Sequence, residues 1–172
     1  KFGTDGLRGA SESGIRIGLW VSAIEVLVHP GTRVSFDDVN QALGKLSWQD
    51  RLLRRRSYSI SWKGSKIRAT FIQRFYKRLY DARNAFLHGN PVTAKTIFFD
   101  KPCAAGSLEI NAILIYAALL NVALEQVLPR PRTPRGPSQS ESFGARFDKW
   151  DSKALIERGL LAVAKNRVRG SR

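Results

Sequence analysis

The sequence predicts an all-α fold, a bundle of four main helices with a helical C-terminal tail. Three observations carry this reading. Apolar residues recur at helical spacing in four separate stretches, helix start and stop signals bracket those stretches, and the connections between them are short. With 172 residues, 43% of them apolar, the chain suffices for one core of ordinary domain size with something appended.

Residues 1–14 are rich in Gly, Ser and Thr and read as a flexible lead-in. The first helix, IRIGLWVSAIEVLVHPG, is closed by His29-Pro30-Gly31, where proline and glycine stop it. Ser35 with Asp38 three residues on has capping-box chemistry for a second helix, FDDVNQALGKLSW. Gln49 to Lys66 reads as a basic connector. The third and longest helix is predicted from about Ile67 to His88, ended by Gly89-Asn90-Pro91. Residues 92–107 read as a loop and 108–128 as the fourth helix, packed with 15–29 against 67–88. That gives a bundle over 15–128, with no substantial sheet.

After Leu128 the composition changes to PRPRTPRGPSQSES, so 129–142 read as a Pro/Arg/Ser-rich linker that cannot pack a core. Residues 143–172 form a basic tail with helical spacing in Trp150, Leu155, Leu160 and Leu161, which either docks back or lies on a partner.

The net charge of +15 points to a polyanionic partner, nucleic acid ahead of an anionic membrane surface. The excess is denser in the tail. Residues 1–128 hold eighteen Lys/Arg against ten Asp/Glu, and residues 129–172 hold eleven against four. The apolar run 108–128 is long enough to span a bilayer, but Glu109, Asn111, Asn121 and Glu125 make it a core helix instead, so no membrane partner is expected. Cys103, the only cysteine, excludes an intrachain disulfide and makes a cytoplasmic, reducing setting the default. With two histidines and one cysteine, neither a metal nor another cofactor is expected. The chain has no methionine, even at its first position, so further domains of a longer chain are expected partners.

The opening FGTDGLRG is similar to the start of phosphohexomutases. That family also needs a TASHNP-like serine loop and an aspartate cluster that the chain lacks, so the likeness decides nothing. The segment 51–68 interleaves Arg51, Arg54, Arg55, Arg56, Lys63, Lys66 and Arg68 with Tyr58 and Trp62. This mixture suits a phosphate backbone and stacked unpaired bases, and predicts RNA as partner. The plainer alternative is a solvated loop with its two aromatic residues tucked into the bundle.

The stretch RNAFLHGN, 83–90, is the sharpest signal. Indexed at about 100° per residue, Ile72, Phe75, Tyr76, Leu79, Phe86 and Leu87 gather into one stripe centred near Arg83, so a guanidinium points with the apolar face and needs a partner. His88 lies about 140° further round, in the last turn, where the carbonyl end of a helix favours a protonated imidazole. Asn84, one turn before it, can orient the imidazole. Glu25, in the otherwise apolar first helix, is the natural ion-pair partner for Arg83, leaving donors free for a phosphate. His29 reads as a plain turn residue.

LYDARNAFLHGN resembles the signature of the HEPN superfamily, an Arg followed by four to six residues and a His, often with a polar residue directly after the Arg. The apolar first helix carrying an acidic residue, the basic middle and the long helix are similar to its Apea-like branch, over about residues 15–128. The resemblance implies a HEPN-like bundle that forms a homodimer, bringing Arg83 and His88 of two chains into one cleft. It implies a metal-independent endoribonuclease, with His88 as general acid or base, Arg83 neutralising the phosphorane, Asn84 orienting the site and Glu25 in support. Such proteins commonly serve as toxins or phage-defence effectors, which makes a cognate antitoxin a further expected partner. Many HEPN-like bundles are instead non-catalytic binding modules for RNA or protein.

Overall fold

The computed structural model describes residues 4–28, 35–91, 93–99, 107–127 and 152–168. It is largely helical. In chain order the elements are α1 (Thr4–Val28), α2 (Phe36–Gly44), α3 (Arg51–Arg54), the strands β1 (Tyr58–Trp62) and β2 (Ser65–Ala69), α4 (Phe71–Leu87), α5 (Ala94–Ile97), α6 (Leu108–Val127) and α7 (Ser152–Val168).

Helix α1 buries Ile17, Val21 and Ile24, which recur at helical spacing, against α4 and α6. Its pairing with α6 is fixed at the surface by Arg16 Nη1 to Glu109 Oε1 at 2.7 Å, and inside by Trp20 against Tyr116, ring centroids 5.8 Å apart. The helix begins at Thr4, not near residue 15, so 4–14 are no loose lead-in. Gly and Ser weaken helix propensity there, and a tertiary contact at the end of the stretch favours the helix. Gly14 in particular is buried against Phe86 of α4.

Ser35 caps α2 as expected: its Oγ accepts from the Asp38 N–H while Asp38 Oδ2 accepts from the Ser35 N–H at 2.9 Å. This helix stops at Gly44, four residues earlier than its spacing predicts. The basic connector is not a loop. It contains α3, capped by Asp50, and then a hairpin in which Tyr58 pairs with Ala69 and Trp62 with Ser65. Lys63 and Gly64 form its two-residue turn with φ of 48° and 78°, the left-handed pair that tight hairpins require. The expected absence of a substantial sheet stands beside this one small two-stranded sheet, and the fold remains largely helical.

That hairpin also moves the start of the long helix. Ile67 is in β2, and α4 begins at Phe71 behind a second capping box. Here Thr70 Oγ1 accepts from Gln73 N–H and Gln73 Oε1 from Thr70 N–H at 2.9 Å. Gln73 Nε2 donates to the Asn40 carbonyl at 2.9 Å, tying α4 to α2. Inside 92–107, read as loop, α5 appears, along with a bridge between Phe98 and Ser107.

The tail docks. Ile156, Leu160, Val163 and Ala164 are buried, α7 packs on α6 and α3, and Glu157 Oε1 accepts from the Gln49 N–H at 2.6 Å. The face it buries is not the one marked by Leu155, which is 59% exposed. The linker 129–142 and Trp150 lie outside the described residues.

Candidate active site on helix α4

The apolar face of α4 holds Phe71, Ile72, Phe75, Tyr76 and Leu79, all buried. The stripe predicted to continue to Leu87 stops short of it, since Leu87 is 62% exposed at the end of the helix. Arg83 sits where the buried stripe meets the surface. Its Nη1 lies 3.4 Å from Glu25 Oε1 of α1, and its guanidinium lies 5.9 Å from the Tyr80 ring. Both members of the pair are partly shielded, with side chains 25% and 17% exposed.

Burial raises the Glu25 carboxyl above its ordinary value, and the Arg83 charge opposes this only in part. Burial and then the nearby Glu25 charge likewise push the Tyr76 hydroxyl up. Glu25, Tyr76, Tyr80 and Arg83 thus form one electrostatically linked cluster between α1 and α4.

His88 is not a helical residue. It is the C-cap of α4, exposed, with φ −88° and ψ 12°. Beyond it Gly89 adopts φ +71°, the Asn90 N–H reaches the Ala85 carbonyl at 2.9 Å, and the Gly89 N–H reaches the Phe86 carbonyl at 3.0 Å. This paired closure of the helix end needs a left-handed residue at position 89, and glycine takes that conformation at no steric cost. The main chain of His88 is thereby held at the carbonyl end of the helix. Asn84 contributes through its main chain, its carbonyl accepting from the His88 N–H at 3.0 Å. No hydrogen bond joins its carboxamide to the imidazole. The structure brings Arg83 together with Glu25, and leaves His88 outside that pair.

The basic segment divides into two. Arg54, Arg55, Arg56 and Lys66 are exposed. Lys63 is bound to Asp37 at 2.7 Å and holds that carboxyl below its usual value. Tyr58 packs against Phe71 with the Arg74 guanidinium 5.2 Å from its ring, and Trp62 lies 4.2 Å from Phe36 and 5.7 Å from Tyr80. Both aromatic rings are engaged by the bundle, as the plainer sequence alternative has it, and not presented for base stacking. Two further cations went unremarked in the sequence: Arg74, whose guanidinium also lies 5.4 Å from the Phe99 ring, and Lys77, 5.9 Å from the Phe36 and Trp62 rings. Their position one turn apart on α4 was the available signal.

Among the described residues no three His, Cys, Asp or Glu gather into a metal-binding group, and no helix is long and apolar enough to cross a membrane. Comparison of the chain with protein-family models, with curated proteins and with solved structures gave no match.

Proposed function

We propose that the protein is a metal-independent endoribonuclease of HEPN type that cuts single-stranded RNA and acts as a toxin or phage-defence effector. The observation that carries this reading is the end of α4. There a shielded arginine keeps donors beyond its single contact with Glu25, and an exposed histidine stands five residues on, at the helix cap.

Arg83 turns toward Glu25 and Tyr80 while His88 stands at the exposed cap, so one chain does not join them. A homodimer about a dyad near the α4 C-terminus would supply both groups to one phosphodiester. The 2′-hydroxyl then attacks the adjacent phosphorus as one His88 takes its proton. The bond from phosphorus to the 5′-oxygen breaks, the other His88 protonates that oxygen, and a 2′,3′-cyclic phosphate remains. Arg83 neutralises the charge that builds on the phosphorane oxygens. Asn84 holds the His88 main chain.

The contact between Arg83 and Glu25 also favours a second reading, a non-catalytic HEPN-like module that binds RNA or a protein partner, in which the arginine is structural. Incubating the purified chain with labelled RNA in EDTA separates the two. Cleavage to cyclic phosphate is expected from the wild type, abolition by His88→Ala with RNA binding retained, and near-abolition by Arg83→Lys, since lysine lacks the planar two-pronged donor. Cleavage that survives loss of His88, or that needs added metal, overturns the mechanism; absence of cleavage assigns the chain to the binding module.

A further inference from the structure

The hairpin has two unlike faces. Tyr58, Ile60 and Trp62 alternate toward the bundle, with Ala69 buried opposite Tyr58. The other face is made of two cross-strand pairs, Ser59 opposite Arg68 and Ser61 opposite Lys66, all four exposed. Exposed Arg54, Arg55 and Arg56 lead into its base. Among the described residues none of these five cations has a carboxylate partner.

Like charges held side by side on a fixed ribbon repel each other, and a row of phosphates relieves this. Lys66 and Arg68 are two residues apart on one strand face, about 6.8 Å at an antiparallel rise. That stride resembles the separation of neighbouring phosphates along one nucleic-acid strand. Ser59 and Ser61, opposite Arg68 and Lys66 on β1, offer exposed hydroxyl donors that suit phosphate oxygens. No aromatic ring belongs to this face.

Ring contacts give the hairpin its direction. Its base lies at the start of α4, with Tyr58 5.8 Å from Phe71. Its tip lies about two and a half turns further on, with Trp62 5.7 Å from Tyr80, whose ring is in turn 5.9 Å from the Arg83 guanidinium. The ribbon runs along α4 toward Arg83.

We infer that the outer face of the hairpin, Ser59, Ser61, Lys66 and Arg68 with Arg54 to Arg56 at its base, is a track that grips the phosphates of a single-stranded nucleic acid without reading its bases, and leads it toward Arg83. The direction of the track rests on the reading of α4 as an RNA-cleaving site; the grip is testable apart from it.

Binding is measured with the His88→Ala chain, so that cleavage plays no part, using oligouridylate, oligoadenylate and an abasic oligonucleotide of equal length. All three should bind with similar affinity. Lys66→Gln with Arg68→Gln, at exposed positions and checked for unchanged circular dichroism, should weaken binding to all three. It should also flatten the dependence of log affinity on log salt by about 1.4, the loss of two single-strand phosphate contacts. An unchanged salt slope overturns the track, as does an abasic strand that binds far more weakly than the others. Charge-dependent capture by phosphatidylserine vesicles without binding of any oligonucleotide reassigns the face to a membrane surface and also overturns it. In the cleavage-competent chain the same double substitution should raise KM and leave kcat unchanged. Loss of cleavage in the wild type would sink the enzyme reading while the salt slope still decides the grip.

Discussion

Glu25 and Arg83 meet across 58 positions of sequence, and the pH response of the fold should report them. The carboxyl holds its proton more tightly in the folded chain than in the unfolded one. Its contribution to stability is therefore fully present below the unfolded value and is lost as pH rises through the raised folded value. Glu25→Gln lacks that loss. The stability of Glu25→Gln relative to wild type should accordingly rise from about pH 4 to about pH 7, across the carboxylate range, as read by thermal melts of both proteins. Parallel curves would show that the carboxylate is not strained by burial. The need of Arg83 for a partner was legible, because a charge on the apolar face of a predicted helix must be answered, and the acid in a nearly all-apolar helix was the evident answer. The exposure of Leu87 was not. The periodicity of α4 continues through it, but α1 covers Phe86 in the last turn and leaves Leu87 uncovered.

At the level of elements, α1 and α4 are in close contact where Gly14 faces Phe86. A Cβ added at Gly14 would lie 2.4 Å from Phe86 Cδ2, closer than a rigid ring tolerates. Alanine favours a helix over glycine by about 1 kcal/mol. Overpacking a core contact costs about 1–3 kcal/mol, so the clash should win. Gly14→Ala is expected to lower stability in denaturant unfolding, and Phe86→Leu in the same chain should recover part of the loss. Stabilisation by Gly14→Ala alone would mean that the helices do not touch there. The capping boxes of α2 and α4 show why some boundaries are readable and others not. Ser35 and Asp38 stand out ahead of their helix. Thr70 and Gln73 do the same work, but a run rich in Arg and Lys obscured them, along with the Tyr-Ser-Ile-Ser-Trp alternation of β1. Its turn, Lys-Gly, also lacks the usual asparagine or aspartate.

Across the whole molecule, the bundle is completed by a helix that comes from beyond the Pro/Arg/Ser segment. Leu160 of α7 is fully buried, and Leu160→Ala should cost about 2–5 kcal/mol in unfolding free energy. A loss below about 0.5 kcal/mol, the usual range for a surface substitution, would show that α7 does not dock. The helical character of this segment could be read from its leucine spacing. Its docking could not, since Leu155 and Leu160 lie on different sides and only a partner surface on α3 and α6 selects between them.

One junction ties these scales together. Ala69 closes β2, Thr70 caps α4 and Phe71 begins the helix, with no residue between strand, cap and helix. Lys63 at the opposite end of the ribbon is clasped to Asp37 of α2. The ribbon is thus anchored at both ends, and its backbone has little freedom left to lose. A ligand settling on it would meet groups already in place, so ordering the receptor would subtract little from the free energy of association.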